Sequence, residues 1–228
     1  MIICDGIQEI INQKSILVFD FDGVLADSVD IKTDAFAELY SPYGSEIVEQ
    51  VVTHHLANCG MSRFDKFKHY HNVLLNMKSN QFDMDRLANQ FSTIVMDKVI
   101  GCPEIPGAEM FIQENFLIHK CYINSATPQN EIRQIISARG LQKYFVTVFG
   151  SPASKSENLK KIQKSNPNVP SSGFLFFGDA LSDFEAAKDN NFDFIGITGS
   201  EGNANSLLHG HVASDMLIND FNCILKNS

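Results

Sequence analysis

An apolar run of four residues, Ile16-Leu17-Val18-Phe19, that ends in Asp20-Phe21-Asp22-Gly23 is the feature of this chain that most restricts its fold. A run this short, β-rich and without polar alternation, fits a strand buried on both faces, as in parallel sheets covered by helices. Four further runs repeat the signal: Cys121 to Ile123, Phe145 to Phe149, Phe174 to Phe177 and Phe194 to Ile197, with helix-like segments between most of them. That alternation predicts an α/β fold built on a doubly wound parallel sheet. At 228 residues and 44% hydrophobic, the chain has ample material for its core.

Between roughly Asp30 and Pro103 the pattern changes to helical apolar spacings, Phe64, Phe67, His71, Leu74 and Leu87, Phe91, Ile94, without a clear strand. The segment is read as a helical insert. Cys102-Pro-Glu-Ile-Pro-Gly, with two prolines, is the hinge expected to return the chain to the sheet. Ser62 and Asp65, three residues apart, have the form of a capping box, so a helix is expected to begin at Arg63. That position puts a cation in a first turn, which the helix dipole disfavours. Two readings stand open for it: a solvated arginine, alone or paired with Asp65 or Glu38, or a substrate contact made by Arg63 together with Lys66.

Asp20 and Asp22, two apart after a strand, share a direction at its carboxyl edge, where open parallel sheets bind ligands. The same pair also occurs as solvated turn residues. A second acidic cluster, Gly178-Asp179-Ala180-Leu181-Ser182-Asp183, ends another apolar run, and Ser182 and Asp183 can alternatively cap the helix that follows. Together the clusters make an oxygen-rich site of the kind magnesium prefers. Ser125, after the Cys121 to Ile123 run, and its neighbouring amides can face an anion or simply cap a helix. Lys155, in the loop after Phe145 to Phe149, can neutralise a phosphate or remain a surface charge.

These four pieces, in this order, resemble the four signature motifs of the haloacid dehalogenase superfamily: a DxDG start, a strand-end Ser or Thr, a loop Lys and a GDxxxD finish. The resemblance spans Ile16 to Asp183 and points to the phosphatase and β-phosphoglucomutase-like branch. It implies a Rossmann-like core over residues 1–29 and 104–228 and a helical cap over 30–103. It further implies that Asp20 forms an aspartyl-phosphate while Asp22 protonates the leaving oxygen and then activates water. Ser125, the Ala126 amide and Lys155 would hold the phosphoryl group. Asp20, the carbonyl of Asp22 and Asp179 would bind Mg2+, with Asp183 as a further ligand or as an outer partner that orients the site. Family dehalogenases lack an aspartate at the position of Asp22 and phosphonatases carry a small residue there, so Asp22 implies phosphate ester chemistry. Asn124 departs from the family, whose strand usually ends there in an apolar residue, which makes Thr127 the fallback donor.

The expected activity is a magnesium-dependent phosphatase acting on a small phosphorylated metabolite. A phosphosugar mutase would keep the same residues, and a catalytically silent binding module would keep the fold. The net charge of −9 argues against a nucleic-acid partner or an anionic membrane surface. Five scattered cysteines in no metal-binding spacing read as reduced thiols. The opening residues lack a basic n-region, and no apolar run approaches the roughly 18 residues of a membrane span. A cytoplasmic location is the resulting expectation.

Overall fold

The computed structural model describes residues 2–78, 80–199 and 206–225. Strands β1 (Ile16–Phe19), β2 (Lys120–Pro128), β3 (Thr147–Ser151), β4 (Phe174–Gly178), β5 (Asp193–Ile197) and β6 (Leu217–Ile218) form one sheet in the order β3-β2-β1-β4-β5-β6. Every pairing is parallel. The helices are α1 (Ile2–Asn12), α2 (Val29–Tyr40), α3 (Ser45–Ala57), α4 (Arg63–His69), α5 (Gln81–Gly101), α6 (Ala108–Asn115), α7 (Gln129–Ala138), α8 (Lys155–Ser165), α9 (Leu181–Asp189) and α10 (Ser206–His209).

Alternation along the strands divides the core in two. Leu17, Phe19, Ile123, Phe177 and Ile195 belong to one layer, and Ile16, Val18, Tyr122, Phe174 and Phe176 to the other, which Leu159 and Ile162 of α8 cover. Phe19 and Phe177, register partners on adjacent strands, stack at 5.0 Å with Phe111 and Phe221 around them. Burial of each such ring contributes roughly 1.5–3 kcal/mol. The chain runs from β1 to β2 on one side and continues from β4 outward on the other, so the sheet's switch point lies between β1 and β4. Ligands bind at the carboxyl edge there.

Residues 29–101 form four α-helices and no strand among the described residues. Phe36 of α2, Phe67 of α4 and Phe91 of α5 pack around one centre, with Phe36 and Phe91 at 4.5 Å. The Ser62 hydroxyl accepts from the Asp65 amide and caps α4 as its sequence predicts. The His71 and Leu74 spacing does not continue that helix, because the chain widens into a π-type turn over Tyr70–Leu74. The two crossings to the sheet run side by side: the Asp27 amide donates to the Pro103 carbonyl at 3.0 Å and the Ile105 amide to the Leu25 carbonyl at 3.2 Å.

Three local expectations need correction. β3 begins at Thr147 rather than Phe145, because Phe145 closes a 3-10 turn over Gln142–Tyr144 and turns its ring toward Phe19. Lys155 opens α8 instead of lying in a loop, since Ser154 and Glu157 form a reciprocal capping box just ahead of it. Ser182 caps nothing: Ala180 is the N-cap of α9, and the carboxylate of Asp183 accepts from the Ala180 amide at 3.1 Å. No described helix is long and apolar enough to cross a membrane.

Candidate active site

The carboxyl ends of β1 and β4 bring the two acidic clusters together. Asp20 continues β1, its amide donating to the Phe177 carbonyl at 2.9 Å, and its Oδ1 accepts from the Phe21 amide at 2.6 Å. Gly23 sits at φ +74°, in the left-handed region, and a Cβ there would lie 2.3 Å from Asp179 Oδ2. Glycine thus lets the β1 turn touch the β4 carboxylate. Oxygens of Asp20, Asp179 and Asp183 lie within 4.8 Å of one another, and all three residues are buried.

Burial raises the Asp20 carboxyl; Lys155 opposes that shift, Asp183 and Asp22 add to it, and the balance stands at about 7. Asp179 is raised well above the ordinary carboxylate range by burial, then by Asp20 and Asp183. Crowded, desolvated carboxylates with oxygen donors alone suit a hard divalent cation. This donor set therefore fits magnesium.

Lys155 opens a helix, where its charge opposes the dipole. The reason is local: Nζ lies 2.6 Å from Asp20 Oδ2 and also bonds Asp183 Oδ1. Burial would lower this ammonium, but Asp183 and Asp20 outweigh it and raise it. Asn124, the apparent misfit in β2, is fully buried and holds the Lys155 segment: its Nδ2 donates to the Lys155 carbonyl at 3.0 Å and its Oδ1 accepts from Asn158 at 3.2 Å.

Asp22 points to the other side of the site. Ser28 donates to its Oδ1 at 2.6 Å, while Thr127 (3.1 Å) and Lys32 donate to Oδ2. Burial pushes this carboxyl up, yet Lys32 and the three hydrogen bonds overcome it and hold the group below its usual range. Ser125 is buried and its Oγ accepts from the Thr127 amide at 3.1 Å. Ser28 and Lys32 escaped the sequence reading. The available signal was their i, i+4 spacing, which lines up Ser28, the N-cap residue of α2, with Lys32 and Phe36 along one face of that helix.

A cavity of about 40 Å³ joins Asp20, Asp22, Asp179, Ala126 and Thr127 to residues of the helical segment, among them Lys32, Phe36, His55, Met61, Arg63, Lys66 and Phe91. Arg63 and Lys66 both reach it. The surface reading of Arg63 is overturned: the residue is 6% exposed, with a bidentate pair to Glu131 on α7 rather than to Asp65 or Glu38. Its guanidinium lies 4.6 Å from the centre of the Phe91 ring. Lys66 is buried with Nζ 2.6 Å from His55 Nδ1, and burial lowers its ammonium to about 7. Above the site, a Cβ on Gly60 would meet Ser182 Oγ at 1.8 Å and Lys155 Nζ at 3.3 Å. Cys59, Cys102 and Cys121 take part in no disulfide among the described residues.

The family model for haloacid dehalogenase-like hydrolases matches residues 17–197. Among solved structures, a predicted phosphatase from Clostridium acetobutylicum is 19% identical, with a TM-score of 0.70 over 91% of this chain and 94% of that one. A β-phosphoglucomutase from Clostridium difficile is 17% identical, with a TM-score of 0.68 over 93% of each chain. A predicted phosphoglycolate phosphatase from Haemophilus somnus is 15% identical, with a TM-score of 0.64 over 82% of this chain and 86% of that one. At these identities the likeness is one of fold. No curated protein matches the chain.

Proposed function

Because the chain belongs to the haloacid dehalogenase-like hydrolase family, we propose that it is a magnesium-dependent phosphatase that hydrolyses a small phosphorylated metabolite through an aspartyl-phosphate on Asp20. The observation that carries this reading is the convergence of Asp20, Asp179 and Asp183 on one point, with Lys155 bonded to two of them. Magnesium, held by Asp20, the Asp22 carbonyl and Asp179, with Asp183 as an outer partner that orients the site, would supply positive charge that offsets repulsion between carboxylate and phosphate.

The chain's own groups divide the remaining work. Asp20 attacks phosphorus and the ester oxygen departs, taking a proton from Asp22, which carries one when bound substrate displaces the Lys32 contact that otherwise holds it ionised. Water then attacks the acyl phosphate and gives its proton to Asp22, which frees inorganic phosphate and restores Asp20. Ser28 and Thr127 orient the Asp22 carboxylate for both transfers. Lys155, the Ser125 hydroxyl and the Ala126 amide hold the phosphoryl oxygens. Residues 30–103 act as a cap whose Gly60 loop covers the site, and Arg63 and Lys66 face the leaving group. The protein works in the cytoplasm on a small molecule, not on nucleic acid or a membrane.

A screen of phosphorylated sugars, polyol phosphates, phosphoglycolate and nucleoside monophosphates, read as phosphate release with magnesium, tests the proposal. Stoichiometric phosphate from the wild type and none from Asp20→Asn is the expected result. Isomer interconversion that needs a bisphosphate primer would instead make the protein a mutase.

A further inference from the structure

Two lysines and an arginine line the cavity, which at first sight makes its far end a receptor for a second anion. The pairing of those groups says otherwise. Arg63 Nη2 donates to Glu131 Oε2 at 2.7 Å and Nη1 to Oε1 at 3.3 Å, so one carboxylate takes both prongs of the guanidinium. Ser92 of α5 closes the arrangement, accepting from Nη1 at 2.8 Å and donating to Glu131 Oε1 at 2.6 Å. Lys32 is spent on Asp22.

An uncommitted polar atom in this lining, among the described residues, is of another kind. His55 Nε2 is buried and has no hydrogen-bond partner among the described residues, while Nδ1 of the same ring faces Lys66 Nζ. With Nδ1 accepting from the lysine, Nε2 carries the ring proton and offers one neutral donor. Phe36, Phe91 and Met61 supply the apolar remainder.

Resting on the phosphatase reading above, we infer that Glu131 is a specificity-determining residue: by occupying the Arg63 guanidinium it excludes a distal anion, so the site takes monophosphates whose leaving group is small, neutral and hydroxylated. A carboxylate or second phosphate at that end would meet the Glu131 carboxylate across the same guanidinium. It must either share the cation with a like charge or displace a buried bidentate pair. Discrimination of this kind comes from repulsion of the wrong ligand as much as from attraction of the right one. Burial, which lowers the Lys66 ammonium to about 7, weakens a further cation of this lining.

The test uses two probe pairs that differ in one terminal group, glycerol 3-phosphate against 3-phosphoglycerate and 2-hydroxyethyl phosphate against phosphoglycolate. Each is read with magnesium as a competitor of aryl phosphate hydrolysis, so that binding is measured whether or not the probe turns over. Wild type should favour the hydroxyl member of each pair by about tenfold or more, the scale at which one mismatched group is discriminated. Glu131→Gln, nearly isosteric but uncharged, should shift that ratio toward the carboxylate by about tenfold, and Glu131→Asp should keep the wild-type order. A wild type that binds the carboxylate members equally well or better overturns the inference without any variant, as does a ratio that Glu131→Gln leaves unmoved. If aryl phosphate is not hydrolysed at all, the phosphatase reading fails instead, and calorimetric titration with the same four probes still reads the ratio.

Discussion

Lys155 Nζ lies 2.6 Å from Asp20 Oδ2 and bonds Asp183 Oδ1 in the same buried space, so one ammonium links the end of β1 to the first turn of α9. Removing it leaves crowded carboxylates without their cation. Lys155→Met should lower stability by roughly 3–5 kcal/mol in chelator, as expected when one partner of a buried pair is deleted. Magnesium should restore more of that loss in the variant than it adds to the wild type. Denaturant titrations with and without the metal check both statements.

Asp179 and Asp183 should separate by function. Asp183 is fully buried, with Oδ1 on Lys155 and Oδ2 on the Ala180 amide. Asp179 lines the cavity beside Asp20. Asp179→Ala should therefore raise the magnesium concentration needed for half-maximal activity by at least about tenfold, the scale set by loss of metal-site partners. Asp183→Ala should mainly lower the melting temperature, through the lost α9 contact. Magnesium titration of activity and thermal melts of both variants test the ranking.

Gly60→Ala places a methyl group 1.8 Å from Ser182 Oγ and 3.3 Å from Lys155 Nζ. The Ser182 hydroxyl, unpartnered among the described residues, can rotate aside, but Ser182 Cβ at 3.1 Å and Lys155 Nζ must still give way, so a small displacement of Lys155 should lower kcat by up to about tenfold. The fold depends little on that contact, and the melting temperature should stay near the wild-type value. Steady-state kinetics alongside a thermal melt would show it; unchanged kcat would remove the loop from the account.

Lys66 makes a pH prediction. Its ammonium is lowered from 10.5 to about 7 by burial, so the folded state favours the neutral amine and the unfolded state the charged one. The penalty is complete below about 7 and gone above about 10.5. Lys66→Met should therefore be more stable than wild type by a few kcal/mol at pH 6, with the gap closing as pH rises. Parallel urea titrations across that range measure it.

How much of this was legible in the sequence depended on the range of the signal. β1 matched its apolar run end to end, because a strand buried on both faces leaves no polar ambiguity. β6 escaped notice, since two residues carry no periodicity. Asn124 looked like a departure from the family pattern until its bonds to Lys155 and Asn158 showed that a buried amide can hold the chain in place. The anomaly at Arg63 was visible as a cation in a first turn, but its partner Glu131 stands 68 residues away on another helix. No local pattern encodes such a contact.

The most direct measurement of the central claim is the mass of the acid-quenched protein during turnover. With Asp22→Asn, which should slow water activation more than attack on an activated ester, aryl phosphate and magnesium should add one phosphoryl group, mapping to the tryptic peptide 15–32 that contains Asp20. The added mass should be absent when Asp20→Asn is introduced as well. A phosphoryl group on any other peptide, or phosphate release that persists at the wild-type rate in Asp20→Asn, would contradict the account.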